Sequence, residues 1–118
     1  MALQESEIRS ILVAQLSPAE RERAVVYKSS TTVPPGKLNF GAIELPVPWR
    51  AWVAFVDFEP GANWGHSSRY ILVNIETGEV ASRDARFPPF QSNVLSDWLT
   101  IYQGPSAPDW AVAAPKAK

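Results

Sequence analysis

The sequence predicts a small α+β domain: an antiparallel meander sheet of three to five strands with N-terminal and C-terminal helices packed on it. Three observations carry this. Residues 50–58, 69–75 and 79–87 alternate or run apolar like consecutive strands. Glu76-Thr77-Gly78 between the last two is a tight-turn sequence. Apolar residues at helical spacing flank this block on both sides.

Residues 4–16 read as a helix, because Ile8, Ile11, Leu12 and Leu16 recur at helical spacing while Glu7, Arg9 and Gln15 fall off that face. Ser17-Pro18-Ala19-Glu20 ends it and starts a second, short helix over about 18–23, with serine at the N-cap, proline at N1 and glutamate at N3. Ala24-Val-Val-Tyr27 then reads as a strand, with a continued helix as the alternative. Ser29 to Pro48 is mostly loop; Leu38–Leu45 alternates weakly, and Pro46 and Pro48 confine any strand there to an edge.

Trp49 to Phe58 is the strongest strand. Ala51, Val53 and Phe55 face one way and Trp52, Ala54, Val56 and Phe58 the other, so the strand is either covered on both sides or half of an interface. The strand after it places Ile71, Val73 and Ile75 on one face and Tyr70 and Leu72 on the other. Gly78 suits the left-handed position of the following turn. The returning strand carries Arg83, Asp84 and Arg86, marking a wetter edge. Beyond Pro88-Pro89, Ser92 caps an expected helix over 93–103, with Val94, Leu95, Trp98, Leu99 and Tyr102 as its apolar stripe and Gly104-Pro105 as its stop. Residues 1–104 thus form one domain and 105–118 a Pro/Ala-rich tail, in which Trp110 and Val112 are able to dock.

Composition narrows the function. The 118 residues carry a net charge of −1 with the basic residues scattered, unlike a nucleic-acid binder. With no cysteine, disulfides, thiol catalysis and cysteine-ligated metals are excluded. No apolar run reaches membrane-spanning length, and the start Met-Ala-Leu-Gln-Glu-Ser-Glu lacks the pattern of a signal peptide. The expectation is a cytoplasmic protein that engages neither nucleic acid nor membrane.

The segment Asn74-Ile-Glu-Thr77-Gly78-Glu79-Val80, after the strand Tyr70-Ile-Leu-Val, resembles the terminal hairpin of PepSY-type domains. The resemblance covers about residues 50–81. It implies a non-catalytic role: binding or restraining a peptidase.

The loop Gly61–Tyr70 concentrates the candidate binding residues. It holds Asn63, Trp64, the lone histidine His66, Ser67, Ser68 and Arg69. His66 with a neighbouring serine and Asp57 supplies the residue types of a hydrolytic triad. Adjacent residues on one loop do not easily place a hydroxyl and a carboxylate on opposite imidazole nitrogens, however. One histidine with Asp57 and Glu59 is also a poor metal set. No cofactor or metal is expected. Trp64 and Arg69 are instead residue types enriched at binding hot spots. Trp49 and Trp52, three apart at a strand start, are candidates for an aromatic platform. The reading is a non-catalytic protein-binding module: an accessory, inhibitory or chaperone-like partner of a larger enzyme such as a protease. The alternatives are a small-ligand protein or enzyme on a cone-shaped, cystatin-like sheet, with its pocket between the meander and the helix at 93–103, and a structural homo-oligomer built on the two-sided strand.

Overall fold

The computed structural model describes residues 3–40, 43–61, 67–86, 88–89 and 97–116. Its centre is a strand whose neighbours are fixed by its own burial. Val25–Ser29 (β1) is buried at every position, Lys28 included. Its backbone groups therefore need partners along both edges. One edge pairs antiparallel with Ala51–Asp57 (β4), the other with Trp98–Gln103 (β7). Beyond β4 lie Ser68–Asn74 (β5) and Val80–Ala85 (β6), as the consecutive antiparallel meander that the alternation predicts. The strand order is β6-β5-β4-β1-β7. Residues 36–39 (β2) and 44–47 (β3) form a separate two-stranded hairpin. The fold class is thus α+β.

Two helices precede the sheet. Glu5–Ala14 (α1) buries Ile8 and Leu12. Pro18–Arg23 (α2) starts on the expected capping box: Ser17 Oγ accepts from Glu20 N (3.2 Å) and Glu20 Oε1 from Ser17 N (2.8 Å).

The expected C-terminal helix over 93–103 is corrected for residues 98–103, which are β7; residues 93–96 lie outside the described residues. The stripe Trp98, Leu99, Tyr102 fits a helix. Trp98-Leu-Thr-Ile-Tyr102 is equally rich in aromatic and β-branched residues that favour strands. The free edge of the fully buried β1 decides between them. The pocket imagined between the meander and that helix loses its wall, since β7 sits at the opposite edge of the sheet from the meander's outer strand. The weak alternation over 38–45 resolves into two strands rather than one, closed by a hydrogen bond from Phe40 N to the Ile43 carbonyl (2.9 Å).

Both faces of β4 are covered within the chain. Val26, Ala54, Val56, Ile71 and Val73 share a core with Ile8 and Leu12 of α1 and with Leu16 just after it. On the other face, Tyr27, Val53, Phe55, Tyr70 and Leu72 meet the β2–β3 hairpin through Leu45 and Val47. The apolar surface that suggested a homo-oligomer is therefore consumed by intrachain packing. Residues 107–115 also lie against this second face, with Ala107 buried and Val112 and Ala114 packed on the core. Thr100 N donates to the Pro115 carbonyl (2.7 Å), Thr100 Oγ1 to the Ala114 carbonyl (2.8 Å) and Ala113 N to the Tyr27 hydroxyl (3.0 Å). No described helix is long and apolar enough to cross a membrane.

The turn after β5 is the predicted one. Asn74 Oδ1 accepts from Glu76 N (2.9 Å) and Thr77 N (3.2 Å), Gly78 N donates to the Asn74 carbonyl (3.1 Å), and Gly78 has φ +78°. The Asn side chain replaces a turn of backbone bonding, and only glycine takes that φ without strain.

Candidate functional site

The end of the sheet opposite that turn gathers the polar groups. It joins the C-terminal end of β4, the start of β5, the end of β6 and α2. A cleft of about 420 Å3 opens there, lined by Glu20, Arg23, Phe58, Glu59, Arg69 and Arg86 together with Ser67, Ser68, Asp84 and Ala85. Arg69 is fixed in place: Nε donates to Asp84 Oδ1 (3.0 Å) across the β5–β6 register, and its guanidinium lies 5.1 Å from the Phe58 ring centroid. The Arg69 side chain is 27% exposed and Asp84 84% exposed, so the pair orients Arg69 more than it stabilises the fold. Glu20 serves the α2 cap, and Glu59 Oε1 accepts from Ser67 N (3.4 Å). Arg23 and Arg86 are exposed and form no hydrogen bond or ion pair among the described residues. Among the described residues, the cleft's unspent bonding capacity thus lies in these two guanidinium forks and in the Ser68 hydroxyl.

Against Gly61 stands the one strongly exposed large apolar side chain among the described residues. Trp110 is 77% exposed. It sits in a short 3-10 turn, Asp109–Ala111, which is braced on β7: Gln103 Nε2 donates to Asp109 Oδ1 (2.8 Å) and to the Ala107 carbonyl (2.9 Å). The edge of the indole rests on Gly61. A Cβ at residue 61 would lie 2.6 Å from its nearest ring carbon, and Gly61 has φ +93°. Glycine there provides both the backbone angle and the room for the ring.

Of the residues singled out from sequence, Arg69 lies in the cleft. Asn63, Trp64 and His66 fall outside the described residues. Trp49 and Trp52 do not form one platform: they pack, half-buried, on opposite faces of the sheet. Trp52 covers Lys28, whose ammonium is 3.5 Å from the indole centroid, 3.1 Å from Glu5 Oε1 and 3.1 Å from the Ser29 carbonyl. This buried cation explains why an aromatic stands at position 52. Asp57 does not line the cleft; its carboxylate accepts from Glu59 N (2.9 Å). Ser68 carries a buried hydroxyl with no hydrogen-bond partner. No group of three or more metal-ligating side chains occurs among the described residues.

Sequence reasoning missed Arg23, Arg86 and the exposure of Trp110. The arginines lie far apart in sequence and converge only through the β1–β4–β5–β6 arrangement. The signal for Trp110 was its place after Pro108-Asp109, a helix-starting pair inside an otherwise featureless Ala/Pro segment. Compared with known proteins, the chain matches no family model, no curated protein and no solved structure.

Proposed function

We propose that this chain is a non-catalytic protein-binding module, and that its contact face is the end of the sheet that carries the Arg69 cleft and Trp110, the latter seated on Gly61. The observation that carries the reading is Trp110. A solvent-facing indole on a braced turn offers a partner an apolar surface that needs little ordering, and tryptophan is among the residue types most enriched at binding hot spots. At 77% exposure it leaves roughly 150 Å2 for a partner, a gross gain of roughly 3–4 kcal/mol. The bracing reduces the ordering cost on association. Asn63, Trp64 and His66, between Gly61 and Ser67 in sequence, are further binding residues in this proposal. The resemblance of the 74–80 hairpin to PepSY-type domains puts a peptidase among the partners to test.

The test is Trp110→Ala in the full chain, with thermal melts beside quantitative capture of partners from the native host. The proposal expects capture weakened about 30-fold or more, equivalent to about 2 kcal/mol, with stability changed by less than about 1 kcal/mol. Unchanged capture, or loss of capture that merely tracks unfolding, overturns it.

A further inference from the structure

From the bonding left open in the Arg23–Arg69–Arg86 cleft, we infer that it is a carboxylate-binding site for an acidic segment of the protein partner; this deepens the proposed function and rests on it. The lining holds three arginines and three carboxylates, which by charge alone cancel. Each carboxylate already has a partner: Glu20 at the α2 cap, Glu59 at Ser67 N, and Asp84 at Arg69. Among the described residues, Arg69 is the one guanidinium of the cleft that is committed, while Arg23 and Arg86 form no hydrogen bond or ion pair. The site therefore offers planar donor forks and asks for an acceptor. Bidentate pairing with a carboxylate satisfies such a fork.

The lining is balanced in charge, so the acceptor is set by the planar forks, whose geometry a carboxylate matches, and inorganic phosphate is the competing anion in the test. The cleft opens at the surface and stands at the end of the sheet, so an extended chain can lay an aspartate or glutamate side chain into it. Phe58, buried beneath the Arg69 guanidinium, gives that side chain's methylene stem an apolar contact. Arg23 comes from α2 and Arg86 follows β6, so the forks are carried by two separate elements of the fold.

The probe is a tetraglutamate peptide titrated into the isotope-labelled full chain at low salt, with backbone amide shifts as the readout and tetraglutamine and inorganic phosphate in parallel. The expected result is saturable shifts at Ser67, Ser68, Arg69, Ala85 and Arg86, weakened at least tenfold in the double variant Arg23→Gln/Arg86→Gln and strongly reduced by added salt. Both substitutions are at exposed positions, and the amide spectrum itself reports whether the fold is kept. Tetraglutamate that leaves these amides unmoved at millimolar concentration overturns the inference, as does equal affinity in the double variant. Saturation by inorganic phosphate at the same or lower concentration overturns the carboxylate assignment. None of these outcomes depends on Trp110, so the acidic-segment inference can fail while Trp110-dependent capture persists, and the reverse result separates the two equally well.

Discussion

Gly104→Ala adds one methyl group where the structure has no room for it. Gly104 follows β7 and lies against the end of α2. A Cβ at that position would come 2.5 Å from the Glu22 carbonyl oxygen, 2.6 Å from its carbon and 2.7 Å from Arg23 N. All three are backbone atoms, so no side chain can swing away. Ordinary contact begins at 3.4 Å, so the two segments must part by about 0.9 Å. Four hydrogen bonds cross this seam: Gly104 N to the Ala24 carbonyl (2.8 Å), Ser106 N to the Glu22 carbonyl (2.8 Å), Ser106 Oγ to Glu22 Oε1 (2.7 Å), and the Tyr102 hydroxyl to the Arg21 carbonyl. Overpacking alone costs about 1–3 kcal/mol. Losing one net hydrogen bond adds about 1 kcal/mol. A total of about 2–4 kcal/mol lowers Tm by about 8–16 °C at this chain length. Gly104 is not in the left-handed region, so the penalty comes from the contact and not from backbone strain. Circular-dichroism melts and urea titrations measure it. A Tm within 2 °C of wild type would refute the close approach, and with it the placement of Arg23 at the cleft.

Two further predictions concern stability. Gly78→Val is expected to cost about 2 kcal/mol or more, since a β-branched residue is strained at φ +78°, whereas Gly78→Asn should recover much of the loss because asparagine tolerates that region; equal melting temperatures for the two variants would argue against the turn. Burial pushes the Tyr70 and Tyr27 hydroxyls above the ordinary value of 10.0, and Asp57 raises Tyr27 further against the opposing hydrogen bond from Ala113 N. A pKa raised in the folded state means that the native fold holds the proton that the unfolded chain releases. Their contribution is fully present below about pH 10 and is lost as pH rises through the folded values. Melts should be insensitive to these two groups through the neutral range and fall above pH 10, with phenolate absorbance from both rings arising together with unfolding. Two phenolates forming near pH 10 in a chain that keeps its native spectrum would contradict the burial.

What could be read from the sequence was what local chemistry decides. The turn at Asn74–Gly78 was legible because asparagine and glycine enforce it without help from the rest of the chain. The α2 cap was legible for the same reason, Ser17 and Glu20 bonding each other's backbone. The alternation from Ala51 to Phe58 foretold a strand apolar on both faces, but not whether it would be covered or form an interface, nor that α1 and the β2–β3 hairpin would do the covering. Trp98–Tyr102 was misread because its apolar spacing suits both periods, and the deciding factor, the open edge of β1, lies more than seventy residues away. The site divides likewise. Arg69 was found because it borders a polar loop beside a strong strand. Arg23 and Arg86 were not, because nothing within a few residues of either shows that they meet. Trp52 was a candidate for a surface platform; the cation that claims it, Lys28, is reached only through the β1–β4 pairing.

The central claim is that partners dock at the Trp110 end of the sheet, and site-specific photo-crosslinking tests it most directly. Benzoylphenylalanine is placed at position 110 of the full chain in its native host, and at position 79 in a second variant. Glu79 lies beside the Asn74–Gly78 turn, at the far end of the sheet, so it serves as the control surface. Docking at this end gives a discrete protein adduct from position 110 that is competed away by excess unmodified chain and absent from position 79. Adducts of the same identity and yield from both positions, or none above background from position 110, would contradict it.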